Sequence, residues 1–198
     1  MIPLVTQKQI ITSIPKYAYI PLTTDATIAF AKLYDVGQIV NVGDQIHIAK
    51  VEWRETADIN SMLKSRPIAV TLKISGDTPD AEWSSPGMLD KTICNGDTSI
   101  ITRKQYRRAT LSLAVYAVSI ATTDAEDIID AYIEALQKWS MSDLRDIITV
   151  VGEGDVQDLS YLENTAARRE MIIYVRYPQS IDETVDNISD ISFDVSAE

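Results

Sequence analysis

The segment that most restricts the fold is residues 168–177 (RREMIIYVRY), which is apolar at both alternating sets of positions. The odd-numbered positions from Met171 to Tyr177 are all apolar, and so are the even-numbered Ile172 and Tyr174. Successive side chains of a strand point to opposite faces, so a strand of this kind is covered on both. We expect a helix of the same chain to cover one face, and a neighbouring subunit is the candidate cover for the other.

A long amphipathic helix is the second strong signal. Its apolar side recurs at helical spacing and consists of Ala125, Ile128, Ile129, Tyr132, Ile133, Leu136 and Trp139. Thr123 and Glu126 match the T-x-x-E capping box, and acids lie at the start of the helix with Lys138 near its end. The pattern predicts a helix from about residue 124 with Trp139 in the core.

The remaining elements are shorter or alternate between apolar and polar residues. Alternation predicts a long strand beginning at Tyr106 and a strand over 68–74 with one solvated face. Further predicted strands cover residues 38–42, 45–53 and 155–162, and further helices cover 24–37, 56–65 and 143–148. The predicted fold class is α+β: a mixed, mainly antiparallel sheet with one long amphipathic helix packed on one face, plus extended arms and loops.

Prolines, glycines and charge suggest three regions. Residues 1–65 are interpreted as an N-terminal arm with small α/β elements, and three prolines make residues 1–22 an expected extended arm. Residues 66–178 form the expected α+β core, interrupted by a long loop at 75–99 that is rich in turn residues. Residues 179–198 form an acidic C-terminal tail.

The tail has two interpretations. It contains six acids and no base, which fits a solvated segment. Ile191, Phe193 and Val195 also alternate within it, a pattern that would let the tail add as a strand to the sheet edge of a partner. The sequence leaves both open.

Composition restricts the chemistry. Eighteen basic and 29 acidic residues give a net charge of −11, so the overall field does not hold this chain on DNA or anionic lipid. A single histidine, His47, and a single cysteine, Cys94, leave no material for a Cys/His zinc site, and phosphate-loop, dinucleotide and nucleophile-elbow motifs are absent from the sequence. We predict no enzymatic activity and no catalytic, cofactor-binding or metal-binding residues. His47, between Ile46 and Ile48, is expected on the polar face of a strand.

Two further expectations concern location. An unpaired cysteine suggests a reducing compartment, and no secretory signal is recognised at the N-terminus. No run approaches the roughly 18 apolar residues of a membrane span, so we expect no membrane association.

Local basic clusters and aromatic residues are the candidate interface positions. The basic clusters are expected to form salt bridges within the chain or across a subunit boundary, and phosphate contact remains the alternative. Trp83, inside the polar loop, is a candidate interface anchor. The full set is Arg103, Lys104, Arg107, Arg108, Trp83, Arg168, Arg169, Tyr174, Arg176 and Phe193.

Four segments carry a resemblance to a known family: residues 106–116 (YRRATLSLAVY), 123–127 (TDAED), 156–161 (VQDLSY) and 168–177. These segments belong to a predicted order of strand, long strand, capped helix, short helix, weak strand and strong strand. That order resembles the tail terminator (neck or tail-completion) proteins of long-tailed phages and related viruses. The resemblance covers about residues 66–178.

That resemblance implies a structural virion protein at the head-proximal end of the tail tube, assembled in the host cytoplasm. The implied partners are copies of itself in a homo-hexameric ring, the tail tube protein and the head–tail connector or adaptor, with genomic DNA passing through the lumen without specific binding. The ring would end tail polymerisation and join the tail to the head. Two other interpretations remain open: another virion subunit, such as a tail tube, connector or baseplate protein, or an unrelated cytoplasmic binding module.

Overall fold

The computed structural model of the chain describes residues 1–19, 22–34, 46–80, 88–95, 98–159 and 167–186. Its helices are α1 (Leu4–Ser13), α2 (Thr24–Leu33), α3 (Ile59–Ser65), α4 (Ala125–Met141) and α5 (Asp143–Ile147). Its strands are β1 (Tyr17–Ala18), β2 (Ile46–His47), β3 (Ala49–Trp53), β4 (Ile68–Pro79), β5 (Met88–Asn95), β6 (Thr98–Ala117), β7 (Thr149–Glu153), β8 (Gln157–Asp158) and β9 (Ala167–Asp186). The predicted strand at 38–42, Trp83 and Phe193 lie outside the described residues.

The main sheet has seven strands among the described residues, in the order β3-β4-β6-β9-β7, with β5 also paired to β6 and β8 to β9. β3 runs parallel to β4, whereas β5 with β6 and β8 with β9 are antiparallel. A separate antiparallel pair joins β1 to β2. The predicted α+β class with a mainly antiparallel mixed sheet is confirmed.

The chain divides into two compact units. Unit 1 comprises residues 1–77 and 109–175, and unit 2 comprises residues 78–108 and 176–198. The chain therefore passes from one unit to the other within β4, β6 and β9. Unit 1 contains nearly all of the buried apolar side chains, whereas in the described part of unit 2 the buried residues are Tyr177, Asp80, Ser99 and Arg176.

The core of unit 1 lies between α4 and the sheet. The apolar side of α4 is buried as predicted, including the fully covered Tyr132. Tyr132 donates its hydroxyl to the Pro15 carbonyl at 2.5 Å, and Trp139 donates Nε1–H to Ser13 Oγ at 3.0 Å. Burial raises the pKa of Tyr132 well above its ordinary range, so the hydroxyl stays a donor.

The predicted capping box of α4 is wrong. Thr123 pairs with Ile120 through backbone hydrogen bonds of 2.9 and 3.0 Å, so the residue at the N-cap is Asp124. Ser119 Oγ accepts the first helical N–H, that of Ala125, at 3.1 Å. A residue six positions upstream therefore satisfies a donor that the capping box assigns to a local side chain.

The N-terminal segment is also not an extended arm. α1 occupies Leu4–Ser13, with Pro3 at its N-cap and Pro15 immediately beyond its C-cap, Ile14. Proline is tolerated at helix boundaries, so these prolines delimit a helix and do not exclude one. Ile10 and Ile14 are buried, which shows that the helix packs within its own unit.

The predicted loop at 75–99 is replaced in part by strand. β4 continues to Pro79, and β5 forms an antiparallel ladder with β6 that ends with Asn95 opposite Thr98. Residues 88–95 form a strand because their backbone pairs with β6, and the turn-rich composition of the segment does not indicate that pairing. β6 begins at Thr98, eight residues before the predicted start.

Three strand predictions change in detail. In β4 the face predicted to be solvated is buried at Ala69 and Thr71, and the Arg54 side chain lies over it, 3.4 Å from Thr71 Oγ1. β7, at Thr149–Glu153, lies where no strand was predicted. β9 continues to Asp186, so the first part of the predicted acidic tail belongs to a strand.

Coverage of β9 differs between its faces. Arg169 bonds to Glu126 on α4, which places the odd-numbered residues toward that helix, and Met171, Ile173 and Val175 are buried. On the opposite face Tyr174 is 46% exposed. Within the described residues, the face of β9 that carries Tyr174 is therefore only partly covered.

Candidate interface and its ionic networks

A buried carboxylate organises unit 2. The Asp80 side chain is 0% exposed, and its Oδ2 lies 2.5 Å from Arg176 Nε and 3.0 Å from Arg108 Nε. The Asp80 backbone N–H donates to the Tyr106 carbonyl at 2.9 Å, which fixes the carboxylate beside β6. Two of the predicted interface arginines therefore converge on one acid of the same chain. Sequence reasoning missed Asp80, because its partners are 28 and 96 positions away.

The other basic residues of β6 lie along the same three-stranded part of unit 2. This ribbon, defined as β5 with residues 98–108 of β6 and 176–186 of β9, is held partly by side-chain bonds. Arg103 Nε lies 3.3 Å from Glu183, and Thr102 donates to Asp182 at 2.8 Å. Lys104 lies 5.9 Å above the Tyr106 ring, and the adjacent Arg107 is half-buried. Exposed ion pairs contribute little stability, so these bonds fix register more than they stabilise.

Arg169 connects three elements of unit 1. Its guanidinium lies 2.6 Å from Glu126 and 3.5 Å from Asp130, both on α4, and 2.6 Å from Asp158 on β8. The Arg169 side chain is only 14% exposed, so it works as an internal connection. Arg168 instead lies 5.3 Å from the Tyr116 ring centroid.

A polar network that the sequence did not indicate lies on the sheet face away from α4. Arg54, just after β3, donates to Glu170 at 3.0 Å and to Ser112 Oγ at 2.9 Å, and it reaches Thr71 at 3.4 Å. Burial alone raises the pKa of Glu170, but the Ser112 hydrogen bond and the charges of Arg54 and Arg168 outweigh it and hold that pKa below its usual value. The four elements β3, β4, β6 and β9 are thereby connected through one ionised carboxylate.

Each of the two units also has exposed apolar side chains. On β5, Leu89 is 59% and Ile93 is 44% exposed, and Tyr174 of β9 is similarly open. The structure thus gathers Arg103, Lys104, Arg107, Arg108 and Arg176 into unit 2, and Arg168, Arg169 and Tyr174 into unit 1. Their role as an interface stays a prediction.

No group of three or more His, Cys, Asp or Glu side chains in the described part of the chain is arranged to hold a metal ion. No described helix is long and apolar enough to cross a membrane. A scan of protein-family models and a search of curated proteins give no match to this chain.

Proposed function

We propose that the protein is a structural subunit that assembles with copies of itself into a ring at the head-proximal end of a viral tail tube. In this role it ends tail polymerisation, joins the tail to the head connector, and performs no catalysis. The resemblance of about residues 66–178 to tail terminators supports the location, and the ribbon of unit 2 supports self-assembly.

The ribbon is the observation that carries the proposal. A small sheet is stable in water when it has an apolar face to bury or an element to pack against. Among the described ribbon residues, Tyr177 is the one buried apolar side chain, and the other buried groups are polar or charged. The exposed apolar side chains of β5 therefore gain cover most simply from a second copy of the chain.

Ladder geometry supports the same conclusion. β5 pairs with β6 from Met88 opposite Lys104 to Asn95 opposite Thr98, and no further strand pairs with β5 among the described residues. An unpaired strand edge next to exposed apolar side chains is a ready surface for association. Tyr174, on the open face of β9, offers a second contact site.

The test measures assembly directly. Light scattering after gel filtration at several concentrations should give a constant mass near six times the 22.0 kDa chain, and negative-stain images should show closed rings. Extended tubes would assign the chain to the tail tube instead. A monomer at every micromolar concentration would refute self-assembly.

A matched pair of variants locates the contact. Leu89→Asp places a charge on exposed β5 and should raise the dissociation constant of the contact at least about tenfold, because a desolvated charge costs more than about 1.4 kcal/mol. Leu33→Asp, at a 64% exposed position of α2, is the control and should leave the assembly unchanged. Equal effects of the two variants would remove β5 from the interface.

A further inference from the structure

Arg66, in unit 1, has a buried donor that no described atom accepts from. It follows α3 as the C-cap residue and precedes Pro67, in extended conformation. Its Nη1–H donates to the Ser65 carbonyl at 2.6 Å and its Nη2–H to His47 Nδ1 at 3.2 Å. Its Nε is buried, and no described atom accepts its hydrogen. Buried donors without an acceptor are rare in native proteins and call for an explanation.

Three separate segments bring Lys16, His47 and Arg66 together. The Lys16 carbonyl accepts from Ile48 N–H at 3.0 Å, and Ile68 N–H donates to the Ile48 carbonyl at 3.2 Å. These two bonds place Lys16 and the start of β4 next to Ile48, the residue that connects β2 to β3. His47 therefore bonds to Arg66 and lies beside the backbone of Lys16. It is half-buried and the isoleucines on either side of it are buried, which agrees with the predicted position on the polar face of a strand.

The local electrostatics favour an added negative charge. Burial, then Arg66, then Lys16 lower the pKa of His47, and the Arg66 donor bond requires an unprotonated Nδ1. Tyr34 also faces Arg66; burial raises its pKa and Arg66 opposes that rise, so it is neutral. Within the described residues no carboxylate lies within 4 Å of Lys16 or Arg66, although the chain carries a net charge of −11.

Tyr17 supplies a wall for the site. It lies opposite His47 in the β1–β2 ladder, and the two rings stack with centroids 4.9 Å apart. Tyr17 is 55% exposed, so this side of the cluster is open to solvent. The arrangement is a partly exposed cationic cluster in which the His47 ring is held by Arg66 and stacked on Tyr17.

We propose that Lys16, His47 and Arg66 form a binding site for an oxyanion, a carboxylate or phosphate group. Guanidinium donors match the planar oxygens of these groups, and charge-assisted hydrogen bonds are about twice as strong as neutral ones. A bound oxyanion accepts from the Nη hydrogens that Arg66 does not use for Ser65 and His47, offsets the Lys16 charge and makes protonation of His47 easier. The site lies in unit 1 and does not depend on the assembly proposed above.

The single histidine gives a direct measurement. Imidazole resonances of His47 are unambiguous, because the chain contains one histidine. Its pKa is measured by NMR in sodium chloride and, at matched ionic strength, in inorganic phosphate or acetate. We expect a saturable rise of at least about half a pH unit beyond that in chloride, since a nearby opposite charge favours the protonated form.

The two ligands distinguish the source of the oxyanion. A saturable rise with phosphate alone assigns the site to phosphate groups, and a rise with both assigns it to oxyanions in general. A rise with acetate alone assigns it to carboxylates. If the pKa of His47 is the same in chloride, phosphate and acetate at matched ionic strength, the ions act only by screening, and the proposal is overturned.

Variants separate binding from folding. Arg66→Gln should weaken binding at least about tenfold, because a hydrogen bond to a charged group contributes about 1.5–3 kcal/mol. It should also raise the His47 pKa without ligand, since the Arg66 charge lowers it. Arg145→Gln, on the exposed side of α5, is the matched control and should change neither. If Arg66→Gln does not fold, Lys16→Gln replaces it with the same expected direction, and unchanged binding in the folded variant contradicts the site.

Discussion

Replacing the buried carboxylate of unit 2 is the sharpest test of how the ribbon is held. Asp80→Asn keeps the size and shape of the side chain and removes the charge that Arg176 and Arg108 share. The Asp80 side chain is 0% exposed and that of Arg176 is 10% exposed, so solvent screens their attraction poorly. Removing one partner of such a pair costs about 3–5 kcal/mol.

The structure favours the lower end of that range. Arg108 is 38% exposed and can be rehydrated, and the asparagine oxygen can still accept a hydrogen bond from Arg176. We therefore expect a loss of about 3 kcal/mol, which is roughly a hundredfold in the unfolding equilibrium.

The assay is urea-induced unfolding at pH 7, combined with hydrogen exchange of peptides covering 98–108 and 176–186, at a concentration where both proteins have the same mass in solution. Glu183→Gln is the matched control, since it neutralises an ion pair of the same ribbon whose side chains are 43% and 54% exposed. That variant should lose at most about 1 kcal/mol. If Asp80→Asn and Glu183→Gln lose the same stability, the buried carboxylate does not hold the ribbon and the reasoning is refuted.

Two further predictions concern unit 1. Gly76 has a φ of +72°, so Gly76→Ala should destabilise the protein by about 1–2 kcal/mol through backbone strain. Gly152→Ala is the control and should be neutral, because a Cβ added there meets nothing within 4 Å. Thermal unfolding compares the two variants, and equal effects would contradict the strain argument. Glu170 has a folded pKa below its ordinary value of 4.5, so its stabilisation is present above pH 4.5 and is lost as pH falls through the folded value. The stability difference between Glu170→Gln and the unchanged chain should therefore shrink on acidification, and a pH-independent difference in urea midpoints would refute the assignment.

Periodic patterns allowed the main elements to be predicted. The apolar stripe of α4 and the apolar strand around Ile173 were identified correctly, because burial of one helix side or strand face leaves a regular trace in neighbouring residues. The α+β class followed from their order. Where a local signal had two meanings, as with the prolines around α1, the prediction failed.

The sequence by itself therefore determined which segments are helix or strand where the period is long and clear, and which residue types are too scarce for Cys/His zinc or Cys–His chemistry. Tertiary structure alone decided that Asp80 lies between Arg108 and Arg176, that Arg54 reaches Glu170, and that Arg66 meets His47. The physical reason is the range of each effect. Hydrophobic periodicity is recorded in consecutive residues, whereas an ion pair between positions 96 or 116 apart leaves no local trace until strand pairing brings its partners together.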